Sequence, residues 1–469
     1  MTDHSVQTGQ TRIDRSRSMG LKLILVGALV VLLGAPLALV NLLAWERANR
    51  AETVSAEVGA AYGGAQEMRG PFLVLPYAID REIEVRDANG RTRREMRTVT
   101  ETIVLSPDTL HLTGALETRI LHRAIYDVPV YEAGLQMSGR FDTGAAGDVL
   151  PEGGTIDWSG ARMIYAVSDL RGIGEDFRFT LSGRRTLRFE PQSDFDRLGP
   201  DGAAWRGMAA PVANLRPGEA FDFEGALQIS GAGRFALLAS GRETTADVTS
   251  DWPHPGFDGQ YLPDTREIGS DGFTASWRVP YLARGVPAAW VEGRGYTLNQ
   301  ASTALFAVNL VTPADGYAQV SRSLKYALLF LAFTLLMFFL IEANGERPVH
   351  AAQYGLIGLA QVVFYLLLLA MSEHLGVWAA YGVAALATIT LTAGYALTIF
   401  RSQPRAMVTF AGLTLTYLVQ FVLVLVEDYA LLIGSGLVFA ALAATMFMTR
   451  KVDWYGMTAG VEGKTRPVN

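Results

Sequence analysis

The chain has 469 residues, a formal net charge of −6 and no cysteine. A charge this modest implies neither nucleic acid nor a strongly anionic surface as a partner. The missing thiols exclude disulfides, thiolate metal sites and a cysteine nucleophile.

Hydrophobic residues make up 50% of the sequence and are unevenly placed. One apolar stretch near the start and a close series in the last third flank a long, mostly polar region. This layout predicts an α-helical membrane protein with six transmembrane helices. A large mainly-β domain, antiparallel and sandwich-like, is inserted between helix 1 and helix 2.

Residues 1–20 form a basic N-terminal tail, and residues 21–43 the first span. Leu21 to Leu43 carries no charge except Lys22 and only Asn41 as a strongly polar side chain. At ~1.5 Å per residue the run crosses the ~30 Å hydrocarbon layer as a helix. It outlasts the apolar core of a cleavable signal peptide, about 7–15 residues, so it reads as an uncleaved anchor.

The external region, residues 44–322, begins as a stalk helix. Val54, Val58 and Ala61 share one face, Glu46 and Arg50 are four apart, and Gly63-Gly64 breaks the pattern. From Pro71 the period becomes alternating. Phe72–Leu75 before Pro76, Glu82–Val85, Thr98–Val104, Arg162–Val167, Phe177–Leu181 and Phe273–Val279 read as strands, with several more between Thr109 and Phe141. The domain divides into two sandwich-like halves meeting near Asp194 to Arg216. At this length it relies on its own hydrophobic core.

Five further spans follow within residues 323–449: Tyr326–Ile341, Gln353–Met371, Val377–Phe400, Ala406–Val426 and Leu431–Met448. Charges sort the connections. Arg12, Arg15, Arg17 and Lys22 precede the first span, Arg401 and Arg405 join the fourth to the fifth, and Arg450 and Lys451 follow the sixth. Glu373 and His374 follow the third, and Glu427 and Asp428 the fifth. The positive-inside rule then puts both termini, including the tail 450–469, on the cytoplasmic side and the β domain outside. Arg322 and Lys325 at the outer end of the second span run against the rule and are outweighed by the other boundaries. Trp45, Trp378 and Trp454 lie near span ends, where an indole is half wet.

The familiar catalytic signatures are missing: no HExxH, no phosphate loop of the Walker type, no GxSxG and no GxGxxG opening a helix. No cofactor or metal is implied. Four polar clusters remain. Asp169 and Arg171, in Ser168-Asp169-Leu170-Arg171-Gly172-Ile173-Gly174, could grip an anion, or could form an Asx-turn and an ion pair. Asp251-Trp252-Pro253-His254-Pro255-Gly256-Phe257 holds His254 between two prolines, suited to a general base with Asp251 beside it or to a metal ligand, or else to a rigid turn packed by Trp252 and Phe257. Thr312-Pro313-Ala314-Asp315-Gly316-Tyr317 is a turn ahead of the second span. Glu373 and His374 could contact a lipid headgroup or a metal, or form a solvated interfacial turn. In each case the structural reading is preferred, because such turn chemistry is common. No span has an ionisable residue at its centre, which counts against an ion-coupled transporter. Gly355, Gly358, Gly394, Gly412 and Gly434-Ser435-Gly436 suit close helix packing.

Taken in order, Gly70-Pro71, Arg171-Gly172-Ile173-Gly174, Trp252-Pro253-His254-Pro255 with Phe257, Thr312-Pro313-Ala314-Asp315, Lys325-Tyr326-Ala327, Gln353-Tyr354, Phe364 to Ala370, Ser372-Glu373-His374 and Asp453-Trp454-Tyr455 resemble the CreD family of bacterial inner-membrane proteins. His350-Ala351 departs from it where a proline would follow the histidine. The resemblance implies an inner-membrane protein tied to envelope integrity and stress response, and supplies no catalytic residue.

Two functions follow. In the first, the β domain binds a periplasmic protein or an envelope component, and the spans anchor it in the lipid bilayer. In the second, an enzyme or lipid-handling protein gathers Asp169, Arg171, Asp251 and His254 with Glu373 and His374 at the membrane face. Convergence of these side chains would favour the second, scatter the first.

Overall fold

Why the polar region folds as it does is visible in its alternation. In a computed structural model, which describes residues 4–86, 92–174, 177–182, 186–192, 206–301, 303–312, 316–344, 348–426 and 429–449, residues Leu110–Glu117 alternate buried and exposed without a break. A strand of period two with one dry face needs a second layer against it.

The chain divides into a helical unit, residues 1–51 and 314–469, and a β unit, Glu52–Pro313. Helix α1 (His4–Ala61) contributes to both. The β unit then runs through the hairpins β1 (Gln66–Arg86) with β2 (Thr92–Leu105) and β3 (Thr109–Arg123) with β4 (Tyr126–Asp142). Helix α2 (Ala145–Val149) precedes β5 (Thr155–Ile156), β6 (Arg162–Val167), β7 (Arg178–Leu181), β8 (Thr186–Leu187) and β9 (Glu190–Gln192). Next come β10 (Arg206–Pro211), β11 (Ala220–Ala232), β12 (Arg234–Leu238), β13 (Glu243–Ser250), β14 (Pro255–Gly259), β15 (Thr265–Gly269) and β16 (Gly272–Val279). The unit closes with α3 (Tyr281–Arg284), β17 (Ala289–Val291), α4 (Leu298–Ala301) and β18 (Leu305–Leu310).

Among the described residues these strands form a ten-stranded sheet, with the path β14-β18-β12-β1-β6-β10-β9, and an eight-stranded sheet, β15-β16-β13-β3-β4-β11-β7-β8. Rings from the two sheets meet between them: Tyr131 with Phe235 at 5.7 Å, Trp277 with Phe306 at 5.1 Å, and Phe257 with Phe273 at 5.6 Å. Such edge-on and stacked aromatic pairs add to area burial. The sheets are mixed, since β1 pairs β12 in parallel and β3 pairs β13 in parallel.

Two expectations change. Each sheet takes strands from before and after the 194–216 region, so the domain is one interleaved unit rather than two halves in sequence. Residues 72–75 and 82–85 belong to one continuous strand through Pro76. In a strand the N–H and C=O of one residue point to the same edge. The Pro76 carbonyl accepts from Asp157 N at 2.8 Å. Its missing N–H therefore faces the gap between β6, which pairs with β1 as far as Val74, and β5, which pairs with β1 from Tyr77.

The stalk ends as its glycines require. Gly63 and Gly64 adopt positive φ, 103° and 67°, where a side chain is disfavoured. Val58 and Tyr62 pack on Val128, Val130 and Ala232, while Ala61 is exposed.

In the helical unit α5 (Gly316–Lys325) and α6 (Ala327–Ala343) meet at a 47° bend. Then follow α7 (Ala351–Leu375), α8 (Val377–Phe400), α9 (Gln403–Leu425) and α10 (Ala430–Thr449). Among the described residues four helices are long and apolar enough to cross a membrane, five if the bent pair is one span; the apolar part of α10, Leu431–Phe447, is shorter. The His350 side chain and Gln353 cap α7 reciprocally, so the departure at His350-Ala351 still opens a helix. Gly358 and Gly412 serve close packing, against Leu33 and Met337; Gly355, Gly394, Gly434 and Gly436 have open space where a Cβ would stand. Glu427-Asp428, Pro313–Asp315 and the segment from Arg450 onward lie outside the described residues.

Candidate functional site

Asp169 stands at the start of a single 3-10 turn, Leu170–Gly172, and its carboxylate accepts from the Arg171 backbone N at 2.9 Å. The same carboxylate takes the Arg171 guanidinium, Nη2 to Oδ2 at 2.5 Å. This hydrogen bond and its charge raise the Arg171 pKa above the usual arginine value. Beneath the turn lies Gln66, fully buried, whose Nε2 donates to Gly63 O at 2.8 Å and Asp169 O at 3.0 Å. A Cβ on Gly172 would come within 2.4 Å of Ser230 O and 2.5 Å of Gln66 Nε2. The Arg171-Gly172 segment therefore locks β1 to β11 through a buried amide.

The Trp252 loop is also committed to structure. The Trp252 indole donates to Val311 O at 3.1 Å, and Val311 N donates back to His254 O at 3.2 Å. Asp251 accepts from Thr118 N at 2.9 Å and Thr118 Oγ1 at 2.7 Å, on β3. His254 is exposed. What reads in sequence as a loop through Phe257 becomes an edge strand at Pro255, a position where proline forfeits no ladder bond. Within that strand, burial alone would raise the Asp258 pKa. Hydrogen bonds from Asn309 at 2.9 Å and Arg234 at 3.2 Å prevail and lower it.

Glu373 and His374 belong to the helical unit. Glu373 accepts from Tyr317 OH at 2.9 Å and faces Arg47 at 3.7 Å, whereas His374 is exposed. Asp169 and Asp251 thus hold partners on different elements, and among the described residues no acid stands at hydrogen-bond distance from the His254 ring.

Sequence reading missed three features. His122 Nδ1 meets Asp127 Oδ1 at 2.6 Å because a tight turn at Ala124-Ile125 makes them cross-strand neighbours. Arg284 is 1% exposed. The third is a groove of ~510 Å³ on the outer face of the eight-stranded sheet. One row of its wall is His111, Ser138, Glu224 and Thr180, cross-strand neighbours on β3, β4, β11 and β7. The next row adds Thr113, Gln136 and Arg178. The signal for this face is the polar half of the alternation; what brings the four strands together is not local.

Apolar helices of spanning length joined to a two-sheet β unit define an integral membrane protein with a folded domain outside its spans. The comparisons agree. The chain belongs to the CreD family, described as inner membrane protein CreD, which matches residues 18–455. The protein described as "Inner membrane protein CreD" from Escherichia coli (strain K12) is 30% identical over 441 residues, covering 92% of this chain and 93% of its own. A crystal structure of a Parabacteroides distasonis protein is 11% identical and covers 56% of this chain and 58% of its own; at a TM-score of 0.22 it carries no argument.

Proposed function

We propose that this is an envelope-integrity protein of the inner membrane. Its β unit lies in the periplasm and binds an envelope component or a protein partner without catalysing a reaction. Six spans, both termini cytoplasmic, hold it there. The observation that carries this reading is the groove across β3, β4, β11 and β7, whose ~510 Å³ falls in the range of ligand sites. Its lining mixes hydroxyls, an amide, His111 and the opposite charges Arg178 and Glu224, a set suited to a polar partner of low net charge. The charge asymmetry of the short connections supports the orientation.

The absence of native cysteine makes both parts testable on the full chain. A membrane-impermeant maleimide should label Thr113→Cys in intact spheroplasts and Ser402→Cys only after lysis; the reverse pattern would overturn the orientation. Photocrosslinking in cells from positions 113 and 180, with 171 and 256 as further probes, should give an adduct of discrete mass from the groove. Adducts from none of the four would sink the binding reading.

A further inference from the structure

Four segments meet at one corner of the β unit: Ser106–Asp108 after β2, Ser240–Arg242 after β12, Tyr261-Leu262 after β14, and α3 with the loop to Pro287. Arg284 joins three of them. Its Nη1 donates to Ser240 O at 2.5 Å and Ser106 Oγ at 3.3 Å, its Nη2 donates to Pro287 O at 3.2 Å, and its Nε has no partner. All these acceptors are neutral. Burial pulls the Arg284 pKa down to about 10, which leaves the guanidinium charged at neutral pH. A buried cation usually has an acid beside it. Here carbonyl dipoles and the Tyr281 ring, 5.6 Å from Cζ, take that place.

A second cation shares the ring. Arg242, exposed, lies with Cζ 4.7 Å from the Tyr281 centroid, and the Asp108 carboxylate is within electrostatic reach of it. Two guanidiniums thus share one ring, with Asp108 as the acid beside the exposed one.

Beside the two guanidiniums stand exposed leucines. Leu282 is 91% exposed and Leu262 63%. Tyr261 OH donates to Ala283 O at 2.8 Å, bringing the Leu262 loop onto α3. Leucines on turns, phenols and arginines together are the composition of a surface that enters a lipid interface.

We propose that this corner docks an anionic lipid, with Leu262 and Leu282 entering its apolar layer and Arg242, backed by the charge of Arg284, holding its phosphate. A soluble phosphate would make no use of the leucines, and a neutral protein surface none of the paired cations. The site is separate from the groove and stands whether or not the groove binds a partner.

The test uses the full chain in vesicles of phosphatidylcholine, alone or mixed with rising phosphatidylglycerol, with Leu262→Cys carrying a polarity-sensitive fluorophore. Emission should move to the blue as phosphatidylglycerol rises. Since one basic residue near an anionic surface contributes about fivefold in affinity, Arg242→Gln should require about fivefold more of that lipid for the same shift. Leu282→Ser, at an exposed position, should weaken the shift without unfolding the protein. Emission that ignores lipid composition, or a shift indifferent to Arg242→Gln, overturns the proposal. A shift abolished by inorganic phosphate would assign the site to a free anion and overturn the lipid.

Discussion

The side-chain amide of Gln66 donates to the Asp169 carbonyl at 3.0 Å, across 103 positions of sequence. It donates as well to Gly63 O at 2.8 Å, so one buried amide ends the stalk helix and seats the Asp169 turn. Gln66→Leu should cost about 1–3 kcal/mol for each carbonyl left without its donor. The β-unit melting transition of the detergent-solubilised chain should fall by ~2–4 °C per kcal/mol. Gln66→Glu should be worse, because it turns a carboxylate toward carbonyl oxygens. A Leu variant melting with the parent would refute the role given to the amide.

Gly172 makes the same turn sensitive to a single methyl. Gly172→Ala places Cβ 2.4 Å from a backbone carbonyl that cannot rotate away, and overpacking of this kind costs about 1–3 kcal/mol. Gly174→Ala meets Gln228 Cβ at 3.3 Å, a contact that a small shift relieves. The expected order in melting temperature is parent, Gly174→Ala, then Gly172→Ala. Equal values for the two variants would remove the packing argument.

The Trp252 loop separates structure from catalysis. Trp252→Phe keeps most of the packing and loses the bond to Val311 O, about 0.5–1.5 kcal/mol. Trp252→Ala should cost about 3–5 kcal/mol. His254→Ala, on an exposed side chain, should stay within about 0.5 kcal/mol and leave envelope phenotypes intact. Loss of phenotype in a His254→Ala protein that melts normally would restore the enzymatic reading.

Asp258 sets a pH dependence. Its folded pKa lies below the usual carboxylate range because the hydrogen bonds from Asn309 and Arg234 outweigh its burial. A depressed acid contributes stability that is fully present above its unfolded pKa, about 3.9, and is lost as pH falls through the folded value. The melting difference between the parent and Asp258→Asn should therefore be constant from neutral pH to about 5 and shrink below about 4. A difference that instead grows on acidification would reverse the sign assigned to Asp258.

How much of this could be read beforehand depends on how local each cause is. The apolar stretches and the exposed-buried alternation of Leu110–Glu117 are local, and both became helices and a strand. Tyr326, the first residue of the expected second span, stands at the N-cap of α6, and the 47° bend there sets α6 apart from α5, which carries Arg322 and Lys325. The parallel pairing of β1 with β12 joins Gln66 to Phe235, and no periodicity predicts a partner that distant. Arg284 was silent for the same reason: its environment is assembled from Ser106, Ser240 and Pro287. Asp169, Arg171 and Trp252 stand out in the sequence by their glycine and proline neighbours, and the contacts they make are those of a turn and a packed loop.

The helical unit offers a matched pair of glycines on one helix. A Cβ on Gly358 would lie 2.2 Å from Leu33 Cδ1 and 3.3 Å from Leu331 Cδ1, whereas Gly355, three residues earlier, has nothing within 4 Å. Small residues let helices approach where lipid supplies no hydrophobic drive between them. Gly358→Ala should lower the melting temperature in detergent by an overpacking penalty of about 1–3 kcal/mol, since Leu33 is itself buried, at 7% exposure. Gly355→Ala should be neutral or slightly stabilising, alanine being the better helix former. Because the obstacle is the tip of a side chain rather than backbone, Leu33→Ala should recover part of the loss in the Gly358→Ala background, a non-additivity that neighbours in contact display. Additive losses in the double variant would mean that α1 and α7 do not meet at these two residues.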